Sequence, residues 1–364
     1  AFGRKVSNTI YPRGSLSYVI SDESWFPRVA GIGQVRLRGA VGQAGVQPGA
    51  TPALQFLGAR TYPINGVEQP ALFLTAIGNS DLKPEITTEI EGGTEVALLH
   101  DRVNIELTLF RKISKDALFN RPLPPSEGAG GNQFQNIARV ENRGYEFGLD
   151  LAVLKSAIAT WDVHLNGSHL KNKLVTVGPA TLPTTPGARN VVGYPINALW
   201  DRPIKSFNDA NGDNIITENE VVVADSQAYR GPSLPEYEAG LTSTFGLFNG
   251  TVHVMTLFDY RGKFWNQWGW QNQRCVSTGN CQAINDPSAP LADQASAVMG
   301  GSSANRTLWG FFVQDDFIRF REASVSWNVP RRYLQRFFGD RTAQLVLSGR
   351  NLGIVWTKYP GIDP

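Results

Sequence analysis

Strict alternation between apolar and polar residues runs through this sequence. Between residues 102 and 112 (RVNIELTLFRK), Val103, Ile105, Leu107 and Leu109 share one parity, while Asn104, Glu106 and Thr108 share the other. Successive side chains of an extended chain point to opposite faces, so this stretch belongs in a sheet with one greasy and one wetted side. GYEFGLDLAV repeats the pattern, setting Tyr145, Phe147, Leu149 and Leu151 against Glu146 and Asp150. In PEITTEIEGGTEVAL, the parity of Ile86, Ile90, Val96 and Leu98 opposes Glu89, Glu91 and Glu95. A dry core could not hold those carboxylates unpaired, so that face meets water.

The same reading gives about ten strands, near 11–20, 34–42, 86–98, 103–116, 140–153, 160–171, 235–247, 251–265, 316–329 and 342–352. Several exceed the usual five or six residues of a globular strand and reach the length that crosses a bilayer at a tilt. The connections alternate in length. Short links (residues 21–33, LLHDR, LKSAIAT, LFNGT and PRRYLQRFFGDR) separate long excursions at 43–85, 117–139, 172–234 and 266–315. One up-and-down order therefore places every long excursion at the same end. Outer-membrane barrels are built this way, with short periplasmic turns and long outer loops. A soluble sandwich has no reason to be. Trp161, Tyr237, Phe258, Tyr260 and Trp327 sit near strand ends on the apolar parity, where an interfacial girdle would place them. The expected fold is all-β: part of an antiparallel transmembrane β-barrel with long extracellular loops. The competing reading is a secreted or surface-attached β-structural or adhesive protein, in which the same alternation would pack two sheets together.

Composition excludes several classes. A charged fraction of 18%, 37 Gly, 22 Pro and a mean hydropathy of −0.21 suit many strands and turns. A net charge of +2 with no Lys/Arg run gives no footprint for nucleic acid. No stretch approaches the ~18 apolar residues of a membrane helix. No zinc-protease, Walker, nucleophile-elbow or dinucleotide motif occurs. GAGGN (128–132) reads as loop rather than phosphate cradle. His164 and His169, five apart on a strand, face opposite ways and cannot chelate together. Glu89, Glu91, Glu106 and Glu146 read as a channel lining rather than acid/base pairs, and no enzymatic role is expected. Cys275 and Cys281, six apart in RCVSTGNC, read as a small disulfide-closed loop in an oxidising compartment, with two free thiols as the alternative, and the scattered histidines argue against zinc.

DANGDNIITENE (209–220) has the spacing of a calcium loop. Asp209, Asn211 and Asp213 supply side-chain oxygens, Ile215 a carbonyl and Glu220 a carboxylate, at positions one, three, five, seven and twelve. Position six, normally Gly, is Asn214, the next-best residue for a left-handed backbone. The alternative is an Asx-rich turn without metal. Trp200, Trp265, Trp268 and Trp270 lie in or beside the outer loops, able to stack on sugar rings or to pack loops.

Several phrases resemble SusC-type TonB-dependent transporters of the bacterial outer membrane. GNSDLKPEITTEIEGG (78–93) is similar to that family's Asn-Pro-Asp-Leu-Lys-Pro-Glu strand entry, with Ser80 where Pro is usual. QNIARVENRGYEFGLDL (135–151) resembles its Gln-Asn…Asn-Arg-Gly-Glu segment, and DANGDNIITENE its Asp-x-Asn-Gly-Asp-Gly loop. GPSLPEYEAGLTSTF, DFIRFREASVSWNVP and SGRNLGIVWTKYPGIDP resemble later strands, in order. The resemblance implies a barrel of about 22 strands, of which residues 1–364 would be the C-terminal part, without the plug, the early strands and the last strand. It implies import of oligosaccharides, peptides or similar nutrients. The implied partners are the TonB system, reached through the missing N-terminal regions, a SusD-like surface lipoprotein and outer-membrane lipid. The opening AFGRKVSNTI reads as the interior of a longer chain.

Overall fold

The computed structural model describes residues 10–49, 51–123, 126, 131–178, 187–339 and 341–361. Ten strands form one antiparallel sheet in strict chain order. They are β1 (Arg13–Val19), β2 (Ile32–Val46), β3 (Glu85–Leu98), β4 (Val103–Leu123), β5 (Gly131–Lys155), β6 (Ala159–Thr176), β7 (Tyr237–Leu247), β8 (Val252–Gly262), β9 (Phe317–Asn328) and β10 (Gln344–Thr357). The sheet is open, with β1 and β10 at its edges.

The register sets the alternation into continuous rows. Ile105, Leu149, Leu165 and Leu241 are cross-strand partners on one face of β4 to β7. Leu109, Tyr145, His169 and Tyr237 form a parallel row nearer the long excursions. Toward the short links, Trp161 stacks on Phe245 at 5.1 Å, and Trp327 pairs with Val252. The expected girdle thus exists at both ends, with Tyr237 and Tyr260 above and Trp161 and Trp327 below. Phe258 lies inboard of it, stacked on Phe320 at 4.6 Å. Tyr237 and Phe245 are separated by about 27 Å of strand, or about 21 Å of height at a tilt of ~40°. That is close to the apolar band of a membrane barrel.

This greasy face is uncovered. Leu109 is 59% exposed and Leu347 78%, and among the described residues no second sheet lies against them. The sandwich reading requires such a sheet and fails here. Buried apolar clusters occur instead in the long excursions and where these meet the tops of β4 to β6.

One expected loop is largely strand. Residues 117–139 continue β4 and β5 upward as paired chain, from Ala117↔Ala138 to Leu123↔Gly131. A bulge beside Asp116, whose backbone is left-handed at φ 56°, shifts the register and reverses the parity. Below it Ile113 shares the outward face; above it Ala117 and Phe119 turn inward against Ala138 and Leu174. At 25 residues, β5 reaches roughly 80 Å along the chain, far beyond the bilayer. The part of GAGGN at 128–130 lies outside the described residues. The other excursions carry a hairpin (Phe56–Ile64 with Val67–Ala76), short strands, and a helix at Leu291–Gly301. No described helix is long and apolar enough to cross a membrane.

Candidate functional site: a charged wall beneath a packed loop cap

The polar parity of the sheet forms an ion-paired wall. Arg36 and Arg38 on β2 reach across to β3 and β4. Arg36 meets Glu95 at 3.4 Å, and Arg38 meets Glu95 at 3.1 Å, donates to Glu106 and donates to Thr108 Oγ1 at 3.1 Å. Lys112 approaches Glu89 at 3.8 Å. On the far side Arg321 grips Asp259 through two bonds of 2.7 and 2.8 Å, and Arg350 meets Glu322 at 3.3 Å. His164 Nδ1 lies 2.5 Å from Asp150 Oδ1, while His169 is on the opposite face between Tyr145 and Tyr237. Exposed pairs of this kind contribute only about 0–1 kcal/mol each. Their effect is to keep a wetted surface charged in both signs without a large net field.

A cavity of about 450 Å³ lies where this wall meets the loops. Leu170, Leu174 and Phe119 line it together with Asn142, Asn172 and Glu236. Asn172 donates to Asn142 Oδ1 at 2.7 Å and accepts the Ile196 N–H at 2.8 Å, which ties residues 190–197 to the inward face. This contact identifies the polar parity as the interior.

Above the wall, the excursions 172–234 and 266–315 fold into one cap. Ile216 and Val221 pack on Ala295 and Met299 of the helix Leu291–Gly301, and Leu199 packs on Leu308 and Phe312. Asp201, with no exposed surface, accepts the N–H of Arg202 at 2.7 Å and of Leu308 at 2.6 Å, joining the two excursions. Arg230 lies between two indoles, 4.1 Å over Trp265 and 4.8 Å over Trp309. Burial pulls its guanidinium below the ordinary value. The same packing pushes the Tyr229 phenol up to about 12, chiefly through desolvation. Cys275 and Cys281 are bonded, Cα atoms 4.9 Å apart, within a cluster containing Ala297 and Phe311.

The four loop tryptophans divide. Trp200 is buried against Tyr194 and Tyr229, Trp265 holds Arg230, and Trp268 meets Trp270 edge-on at 5.5 Å. Trp270 keeps 42% of its surface exposed.

The residues of the acidic loop are brought together as a network of turns. Asp209 accepts N–H groups of Gly212, Asp213 and Asn214 at 2.8–3.2 Å. Asp213 accepts from Ile215 N–H and from the Asn211 amide, each at 2.8 Å. Asn214 takes the left-handed backbone expected of position six, φ 61°. Glu220 caps the turn, accepting the Thr217 N–H and hydroxyl, each at 2.9 Å, and the Ala210 N–H at 3.1 Å. These donors hold its carboxyl below the usual carboxylate range. The cap they form is therefore present at neutral pH and lost as pH falls through the lowered value. Ile215 turns its side chain to solvent. Among the described residues, no three of His, Cys, Asp or Glu converge as metal ligands. The loop is anchored by Gln294, which accepts the Ile216 N–H at 3.0 Å and donates to the Asn214 and Ala289 carbonyls, both at 3.0 Å.

Asp201, Gln294 and Arg230 carried no sequence signal for joining the excursions, because the contacts that do so, to Leu308, Asn214 and Phe312, reach about 80 or more residues along the chain.

The family profile described as "TonB dependent receptor-like, beta-barrel" matches residues 1–213. The chain belongs to that family. TonB-dependent receptor P3 of Formosa agariphila is 23% identical over 396 aligned positions, covering 100% of this chain and 39% of the relative. TonB-dependent receptor P26 of the same organism is 23% identical over 97% of this chain and 38% of its own length. The chain thus spans about two fifths of these relatives. Among solved structures, the RagAB peptide transporter superposes with a TM-score of 0.76 at 16% identity, over 100% of this chain and 41% of that one. The "open-open" state of the RagAB peptide importer gives 0.77 at 18%, again over 100% and 41%. This TonB-dependent receptor barrel is an outer-membrane protein with the fold that its SusC-like phrases imply.

Proposed function

We propose that this chain forms the outer wall and vestibule of a transporter that imports oligomeric nutrients, oligosaccharides or peptides, in a TonB-dependent manner. The observation that supports this best is the division of one sheet into an uncovered apolar face and a charged interior face, with the cap at a single end. In hydrocarbon every backbone group must be paired within a closed sheet, so we assign closure of the open edges at β1 and β10 to further strands of the complete protein. The plug, its coupling to TonB and a SusD-like lipoprotein over the cap belong to the same proposal. No step in it requires bond-making chemistry. The wall carboxylates face cations across the strands and serve as lining.

Single cysteines at adjacent positions test the two faces, since the native cysteines are bonded to each other. Thr108→Cys in the full-length protein is expected to react with a small charged thiol reagent on intact cells. Leu107→Cys is expected to react only after detergent solubilisation. Equal labelling of both in cells would remove the barrel assignment of these faces.

We also propose calcium for residues 209–220. The support is the spacing of Asp209, Asn211, Asp213, Ile215 and Glu220, the left-handed Asn214 and the rigid anchorage on Gln294. Binding would require Glu220 to leave its Thr217 cap, so the affinity expected is that of extracellular modules, roughly 0.1–1 mM. Calorimetric titration of the purified transporter with calcium should show heat in that range and none in Asp213→Ala. A wild-type protein giving no heat up to several times that concentration disposes of the site.

A further inference from the structure

The outward face changes character abruptly at one height. On β4, β5 and β6 the apolar row Ile105, Leu149 and Leu165 is followed by Leu107 and Phe147, then by Leu109, Tyr145 and His169. The next row up consists of Arg111, Arg143 and Lys171, direct partners across the three strands, with Lys173 one step further on β6. Two residues of strand at a tilt of ~40° raise this row about 5 Å above the aromatic belt. That is the level of lipid headgroups. Three cations on adjacent strands lie within about 10 Å of one another at the backbone.

Like charges set directly opposite one another destabilise a sheet, and among the described residues Arg111 is the one of these four cations that ion-pairs directly with a carboxylate. Arg111 makes a two-pronged contact with Glu141, 3.0 and 3.2 Å. Arg143, Lys171 and Lys173 are exposed, and the carboxylate facing them is the same Glu141, the register partner of Lys173, which Arg111 already engages. The interior face behaves differently, since Arg36, Arg38, Arg321 and Arg350 each have a carboxylate there. This excess of positive charge lies on the surface that faces lipid, at the end carrying the long excursions, which is the outer leaflet.

We infer that the row Arg143, Lys171 and Lys173, with Arg111 beside it, binds phosphate groups of the phosphorylated glycolipid in the outer leaflet. The belt beneath supplies a ring surface for the acyl and sugar boundary. His169 sits between Tyr145 and Tyr237, ring centres 5.2 and 4.5 Å away. Bound phosphate removes the cross-strand repulsion and anchors this sector of the barrel in its annulus.

The test uses the full-length transporter in neutral detergent, with purified lipopolysaccharide, enzymatically dephosphorylated lipopolysaccharide, phosphatidylglycerol micelles and inorganic phosphate as probes. Wild-type protein is expected to bind lipopolysaccharide, and the triple variant Arg143→Gln/Lys171→Gln/Lys173→Gln about a hundredfold more weakly, at roughly 1 kcal/mol for each cation near the surface. Lys155→Gln, an exposed cation at the opposite end of β5, should leave binding unchanged. Wild-type affinity should also fall steeply between low and high salt, a reading that needs no variant. Undiminished binding by the triple variant, equal binding of the dephosphorylated lipid, or no salt dependence would each overturn the inference. Equal or tighter binding of phosphatidylglycerol or of inorganic phosphate would overturn its assignment to the glycolipid.

Discussion

Leu241→Arg is expected to destabilise the complete barrel by about 2–4 kcal/mol, the cost of a cation on the lipid face at the bilayer midplane. Leu241 lies midway between Tyr237 and Phe245 on β7, opposite Leu165 and Phe258, and is 38% exposed. Its lack of burial would make it an unremarkable site in a soluble protein, where surface substitutions usually fall within about 0.5 kcal/mol. The two environments therefore predict different results for the same change. Thr242→Arg, one residue along on the interior face, is expected to cost less than about 1 kcal/mol, since its guanidinium would stay in water. Reversible urea unfolding of the full-length protein into and out of lipid vesicles measures both. Equal small effects would mean that the greasy parity of β7 does not touch acyl chains.

The second large effect lies in the cap. Asp201→Ala removes the acceptor for two buried N–H groups, at Arg202 and Leu308, and leaves both without a partner at a site that has no exposed surface. Each orphaned donor costs about 1–3 kcal/mol, so the cap should lose roughly 2–5 kcal/mol. Asp201→Asn, which keeps one carbonyl acceptor, should recover about half. The expected readout is rapid proteolysis within 190–234 and 302–312, while the strands remain protected and the purified barrel keeps its heat-modifiable migration on gels. Unchanged protease resistance of the cap would show that the two excursions are held together without this carboxylate.

The wall was readable from sequence because a lipid-facing sheet obeys the simplest rule in protein structure, a period of two. The expected 103–116 begins where β4 begins, and 86–98 and 235–247 differ from β3 and β7 by one or two residues at most. Legibility failed at Asp116. One bulged residue moved Ala117 and Phe119 to the face that Ile113 does not share, so the alternation lost phase and 117–139 resembled a loop. The cap was opaque for another reason. Its stability comes from single polar side chains reaching across the chain, such as Gln294 to Asn214 and Thr307 to Arg202, and local patterns carry no trace of such partners. The acidic loop was visible as a motif, although its oxygens are engaged with N–H donors in a way that spacing alone does not reveal. The histidines were separable by parity. The cations at the top of β4 to β6 became meaningful only once the register aligned them.

The inner surface has two successive textures, and the phase reversal at Asp116 marks the change on β4. Above it, the inner surface offers Phe119, Ala138 and Leu174 among amides; below it, Arg38, Glu95, Glu106 and Asp259. In the transporter proposed above, a solute descending from outside would meet a greasy throat before a charged stretch, and on β4 a left-handed residue, Asp116, marks where one gives way to the other.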